Sequence, residues 1–328
     1  MIGRGLIADH EWALKAAQGR SADICPCIGC LQGCFDRLIV DLPISCLTNP
    51  RAANEADYPW VAAPHSRRVL VVGGGPAGMQ AALTAARRGH RVTLWERNER
   101  LGGAWIAAAS PPGKQDFNNY TVYLARQLEK AEVTVALGKT ASAEAIAAEQ
   151  PDVVIVAVGA TVVAPEVPGD DTMPVLDLYG SLYYGDVPGK HLAVLGASRA
   201  CCEAAQWLAA RGKQVTLIAP EGQLARDAGM YIRRVLIEQI RDSEIAVYLR
   251  AQVASASRGR VVMDRDGGRD TLNGIDAVVV AGNRHANPDL AQALRALGLR
   301  TLVAGDALNP RDAFRATQDA FAAAYNLD

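Results

Sequence analysis

The 328-residue sequence is short of charge of either sign: 34 Lys and Arg stand against 35 Asp and Glu, leaving a net −1. That balance gives no reason to expect a nucleic-acid partner or an acidic surface as target. Long hydrophobic runs are missing too, none approaching the ~18 residues of a membrane span. The opening MIGRGLIADHEW places Arg4, Asp9 and Glu11 where a secretion signal would be apolar. Histidine is scarce, with five in all, and His65, His90 and His285 fall in expected loops as solvated surface residues, so no general acid or base stands out. No internal repeat or low-complexity segment is visible. The expected compartment is the cytoplasm, whose reducing conditions disfavour a disulfide knot.

What is present is concentrated. Half the residues are hydrophobic, and the length suits two or three domains with substantial cores. Four of the seven cysteines crowd into CPCIGCLQGC, residues 25–34, with a fifth at Cys46. Cys27, Cys30, Cys34 and Cys46 give C-x2-C-x3-C-x11-C, three thiols on a short turn and a fourth returning after a loop that contains Pro43. Four thiolates suit tetrahedral zinc or an iron–sulfur cubane. Zinc ribbons pair two C-x2-C knuckles and only one is present, so the compact triplet with a remote fourth ligand favours a [4Fe-4S] cluster. Cys25 is then a spare thiol beside it. The Ala-, Pro- and Asn-rich stretch LTNPRAANEADYPWVAAPHSRR reads as a connector.

Next comes RRVLVVGGGPAGMQAALTAARRGHRVTLWERNE, a buried strand at 69–72, a glycine turn, an Ala-rich helix to about Arg88 and a second strand ending at Glu96. This is a complete dinucleotide-binding βαβ pattern. Gly73 permits the tight turn, Gly75 lets backbone approach a pyrophosphate, and Gly78 lets helix press on strand. With Pro76 and Ala77 they open a helix whose free N–H groups attract phosphate. Glu96, 18 residues beyond Gly78, is placed to accept from ribose hydroxyls, with Arg97 beside it. LGGAW at 101–105 offers Gly102 and Gly103 for a close backbone pass along a flavin. Gly305 and Asp306 end a strand in TLVAGDALNP before a helix expected at 312–326, where the carboxylate suits a ribityl hydroxyl.

A second βαβ pattern, HLAVLGASRACCEAAQWLAARGKQVTLIAP, lies between these pieces at 191–220. Gly196 is kept, but Ser198 and Cys201 stand at the later glycine positions and the second strand ends in Ala219 and Pro220 with no acid. NAD(P)H binding is therefore disfavoured there. Arg199 meets either a phosphate or solvent, and Cys201 and Cys202 read as packing residues.

Taken in order, GRGLIAD, CIGCLQGC with Cys46, NP at 49–50, GGGPAG, LGG and AGD resemble the C-terminal half of the iron–sulfur flavoproteins that include trimethylamine dehydrogenase and bacterial 2,4-dienoyl-CoA reductase. The resemblance covers nearly the whole chain. It implies an α/β fold of two Rossmann-like domains, the second inserted in the first, with a small N-terminal iron–sulfur module. The boundaries expected are 1–64 for the module, 65–185 with 298–328 for an FAD domain, and 186–297 for an NAD(P)-binding-like domain. The resemblance carries the cluster ligands onto Cys27, Cys30, Cys34 and Cys46, and flavin contacts onto Gly73, Gly75, Gly78, Glu96, Gly103 and Asp306; a relative holding only ADP there keeps ADP as an alternative to FAD.

In that family a TIM barrel carrying FMN precedes these domains, and this sequence starts at Met1 where the barrel would be ending. A split enzyme is therefore expected, with an FMN-containing barrel subunit as partner and an electron-transfer flavoprotein or other acceptor beyond it. Gly3 and Arg4 would reach into the partner's FMN phosphate site, the alternative being a mobile arm. An exposed apolar patch is expected on the cysteine module, where the partner would sit. The expected function is electron transfer between partner FMN, cluster and FAD, and the worn second pattern leans toward the dehydrogenase direction. An NAD(P)H-fed reductase and a non-catalytic scaffold holding ADP and a cluster are the other readings.

Overall fold

The computed structural model describes residues 2–327; Met1 and Asp328, which end two of the expected segments, lie outside them. The chain divides into two compact units. The first comprises residues 1–105, 116–161 and 284–328, and the second residues 106–115 and 162–283. No helix among the described residues is long and apolar enough to cross a membrane.

The first unit is built on a five-stranded sheet, ordered Thr301–Val303, Val153–Val156, Arg68–Val72, Arg91–Trp95, Thr134–Ala136, with every pairing parallel. Val153–Val156 is buried at each position and Arg68–Val72 at all but the first, as expected of strands covered on both faces. The helix Pro76–Arg87 packs against Ala313–Tyr325 and Phe117–Lys130. Ala81, Ala82 and Ala85 are fully buried on it, small side chains that let neighbouring elements approach.

The cysteine-bearing segment clusters with this sheet instead of standing apart, because its loops are pinned to two of those helices. Thr317 Oγ1 donates to the Leu47 carbonyl at 2.9 Å, and Gln318 Nε2 to the Cys46 carbonyl at 3.1 Å. Asp23 accepts from Lys130 at 2.5 Å and from Arg126 and Arg20 at 3.2 Å. The three cations hold its carboxyl down to a pKa of about 2, chiefly through the Lys130 bond. The first residues form the helices Arg4–Ala8 and Trp12–Ala17.

The second unit repeats the order of four of those strands, Ala277–Val280, His191–Leu195, Gln214–Ala219, Ala246–Leu249, all parallel, but the strand beyond Ala277–Val280 is Val175–Asp177, the first of its sheet in the chain, where Thr301–Val303 is the last of its own. An antiparallel meander, Gln252–Ser257, Gly259–Arg265 and Gly268–Ile275, completes it. Its span differs from the 186–297 read in the sequence. Val175–Asp177 pairs with Ala277–Val280, and Leu178 and Leu182 join the second core. At the other end, Ala291 and Leu294 of the helix Asp289–Ala296 are buried in the first core with Ile146 and Trp95. One histidine reading is corrected: His90 is buried, its Nδ1 accepting from the Arg67 backbone N–H at 3.2 Å.

Candidate functional site: a glycine loop and a thiol-lined cavity

Residues 73–78 fold into a turn between strand and helix, and three of its four glycines, Gly73, Gly75 and Gly78, meet different surroundings. A Cβ on Gly78 would sit 1.7 Å from the Gly73 carbonyl oxygen, and one on Gly73 would sit 2.3 Å from the Ala157 oxygen. Those two are glycine because protein backbone presses on them. A Cβ on Gly75 would meet only the Gly102 oxygen, at 4.0 Å. Nothing in the chain itself demands glycine at 75, and its φ of −76° suits any residue, so the demand points to something that lies against the loop. The helix begins with Pro76, which has no N–H, and carries no side-chain cap, leaving the amides of Ala77 and Gly78 and the positive end of the helix unanswered.

Other expected residues gather at this turn. Glu96 is buried, 5% exposed, and accepts from the Gly74 N–H at 2.6 Å and from Asn98 N at 2.8 Å and Nδ2 at 2.7 Å. Gly102 donates to the Gly74 carbonyl at 2.8 Å, and a Cβ on Gly103 would stand 3.1 Å from Gly75 Cα. A Cβ on Gly305 would be 2.8 Å from Ala77 Cβ, so the strand end at 304–306 closes on the same helix start. Arg97 is exposed beside Glu96. Asp306 is already engaged, accepting from Arg284 Nη1 at 2.9 Å and from the Arg311 N–H at 3.1 Å, while burial raises its pKa. The Arg284 and Asn98 partners were not read from sequence. Asn98 sits two residues from Glu96 and carried a local hint, whereas Arg284 is 22 residues from Asp306 and carried none.

The four cysteines also come together. Cys27, Cys30, Cys34 and Cys46 line one small cavity of about 20 Å³, and Arg4, Ile28 and Leu47 share the wall. Gly33 makes this possible. Its carbonyl accepts from Ser45 N at 2.7 Å, and a side chain there would collide with Cys46 Cα at 2.9 Å. Burial pushes the Cys30 thiol up to about 12 and raises Cys46, and neighbouring cysteines add to both. Cys25 is separate, its Sγ donating to the Thr48 carbonyl at 3.2 Å. Among the described residues, no group of three or more His, Cys, Asp or Glu is gathered as ligands of one metal ion. A tetrahedral zinc, with sulfurs at about 2.3 Å, needs its four donors within about 4 Å of one another. Arg4 lies against the cysteine turn, its Nη1 4.0 Å from a Cβ placed on Gly29. Between Cys34 and Cys46 the apolar residues Leu38, Ile39, Val40 and Leu42 are exposed.

The second glycine turn differs from the first. Ser198 caps the helix Arg199–Ala209, its Oγ accepting from Cys201 N at 3.3 Å, and Asp227 accepts from Arg199 N at 2.7 Å. The Arg199 side chain pairs with Glu203 at 2.6 Å. Cys201 and Cys202 are buried in the core.

The family model described as pyridine nucleotide-disulphide oxidoreductase matches residues 67–306, which takes in both glycine turns. The chain belongs to that family. Within it, the chain is 34% identical over 334 residues to an NADH oxidase of Thermoanaerobacter brockii, a match covering 99% of this chain and 51% of that protein. It is 32% identical to a bilirubin reductase of Mediterraneibacter gnavus, with 99% and 51% covered. Among solved structures, a 2-naphthoyl-CoA reductase complex superposes with a TM-score of 0.93 at 28% identity over 99% of this chain and 50% of that one. The chain spans about half the length of the curated relatives it matches. The resemblance to one half of the trimethylamine dehydrogenase and 2,4-dienoyl-CoA reductase type of flavoprotein is borne out.

Proposed function

We propose that this chain is the electron-transfer part of a flavin- and iron–sulfur-dependent oxidoreductase, holding FAD at the first glycine turn and a [4Fe-4S] cluster on Cys27, Cys30, Cys34 and Cys46. The observation that carries the reading is that four thiols, with no carboxylate or imidazole among them, line one cavity in the same unit as a glycine turn whose helix start is uncapped. An all-thiol set suits iron and sulfide. When bound, FAD exchanges electrons in pairs and the cluster singly, so together they join two-electron to one-electron chemistry.

The chain's own groups have distinct tasks. Gly75 leaves room for a pyrophosphate against the backbone, and the amides of Ala77 and Gly78 face it. Glu96 holds the Gly74 turn and accepts from ribose hydroxyls. Arg284 fixes the Asp306 carboxylate near the same helix start. Burial holds the Cys30 and Cys46 thiols neutral, and they would ionise against the positive charge of bound iron. Arg4 supplies one cation beside them. The exposed Leu38, Ile39, Val40 and Leu42 suit an FMN-bearing barrel partner.

Iron, acid-labile sulfide and flavin are measured per chain after anaerobic purification. Four iron, four sulfide and one flavin are expected, with iron and sulfide lost in Cys30→Ala and flavin retained. A colourless chain carrying zinc overturns the reading. The second reading is an NAD(P)H-fed reductase. It is favoured by the oxidase and reductase descriptions of four curated relatives matched over 99% of the chain, and opposed by the capped second turn. Adding NADH to the anaerobic protein distinguishes them: an unchanged flavin band supports electron transfer alone, and rapid bleaching supports the reductase.

A further inference from the structure

The helix that starts at the glycine turn also contributes, near its far end, to a second cavity that neither the flavin nor the cluster reading uses. Leu83 and Arg87 form one wall of this space of about 420 Å³, within the range typical of small-molecule sites. Tyr123 and Phe321, both buried, contribute apolar surface, and Arg51 and Trp60 come from the segment after Cys46.

Its charges are unevenly matched. The acids on the wall are committed: Asp9 accepts from Lys15 at 2.7 Å and from the Cys25 and Glu11 backbone N–H groups at 2.8 and 3.0 Å, and Glu11 lies 3.4 Å from Lys15. The two guanidinium groups are not matched in this way. Both lie over the Trp60 ring, Arg51 at 4.8 Å and Arg87 at 5.4 Å from its centroid. Arg51 donates to the carbonyls of Tyr58 and Glu55, and Arg87 to Gln127 Oε1. Neither has a carboxylate ion-pair partner among the described residues. Burial lowers the Arg51 pKa; the Arg87 charge adds to this while Glu55 opposes it. Two like charges gathered on one indole beside apolar walls match an anion with an aromatic body.

We propose that this cavity binds a small aromatic phosphate or carboxylate, its anionic group between Arg51 and Arg87 and its ring against Trp60, Tyr123 and Phe321. The cavity joins the cysteine-bearing segment to the glycine-turn helix within the first unit, so occupancy stabilises that junction by mass action. The inference stands apart from the flavin and cluster assignments.

Phenyl phosphate is the probe, titrated into the purified chain with tryptophan fluorescence and melting temperature as readouts, and benzoate and inorganic phosphate run alongside. Saturable binding that raises the melting temperature is expected. Arg87→Gln, at an exposed position, is expected to weaken it at least about tenfold while leaving the ligand-free melting temperature unchanged. Benzoate binding at the same site marks a carboxylate as the natural group, and its failure marks a phosphate; either outcome supports the site. Gly75→Ala is expected to bind the probe as wild type does. No saturable binding, equal affinity in Arg87→Gln, loss of binding in Gly75→Ala, or inorganic phosphate binding as tightly as phenyl phosphate overturns the proposal.

Discussion

The two glycine turns occupy the same place in two sheets that share the order of four strands, and they part company at the helix start. In both, the first glycine donates to the neighbouring strand's last residues: Gly73 N to Trp95 O and Gly196 N to Ile218 O, each at 2.8 Å. In both, an aspartate ahead of a sheet strand accepts from backbone across it, Asp152 from Arg68 N and Asp276 from Lys190 N, each at 2.6 Å. Beyond that the first turn leaves its helix amides open and sets Glu96 at the strand end. The second fills the same office with Ser198 and Asp227 and ends its strand in Ala219. A shared topology builds the anion site, and a few side chains decide whether it stays open.

The largest expected effect tests how rigid that difference is. Gly78→Ala forces a Cβ onto the Gly73 carbonyl and is expected to cost more than about 3 kcal/mol. Cys201→Ala, at the matching helix position of the second turn, is expected to cost about 1 kcal/mol. Chemical denaturation compares them, and equal losses would break the comparison. Glu96→Ala leaves buried N–H groups of Gly74 and Asn98 without their acceptor, a loss of about 1.5–3 kcal/mol at pH 7. Ser198→Ala and Asp227→Ala each remove a helix cap, about 0.5–2 kcal/mol, and neither is expected to weaken flavin retention.

The smallest effect concerns the shared feature. Backbone hydrogen bonds lower the pKa of both Asp152 and Asp276. A carboxylate depressed on folding contributes stability above its unfolded pKa, near 3.9, and loses it as pH falls through the folded value. Asp152→Asn and Asp276→Asn should each lower the melting temperature by a few degrees or less at pH 7, with the differences fading as pH falls below about 4. A difference that grows with acid would contradict the assignment.

Much of this was legible in the sequence because it is local. Strand, turn, helix and strand follow one another over some thirty residues, and the observed Arg68–Val72, Pro76–Arg87 and Arg91–Trp95 lie within a residue or two of expectation. The cysteine spacing likewise showed that the fourth thiol had to return, and Gly33 shows how. The rest depends on partners distant in sequence. Asp227 caps a helix that starts 28 residues earlier, Arg284 reaches Asp306, and Asp23 holds Lys130 from 107 residues away. Periodicity does not encode such pairs. Unit boundaries shifted for the same reason: Val175–Asp177 and Asp289–Ala296 each belong to the unit whose core they fill, whatever their place in the chain. His90 misled because a polar residue at a helix–strand junction looks exposed until the fold closes over it.

Gly75 tests the account most directly, since protein contacts do not explain the glycine there. Wild type and Gly75→Ala are purified in parallel, and the adenine nucleotide released on denaturation is counted per chain, whether FAD or ADP. The account predicts about one per wild-type chain, a retention at least about tenfold lower in the variant, and melting temperatures of the nucleotide-free proteins that agree. Equal nucleotide content in the two proteins would contradict it, as would a variant that fails to fold.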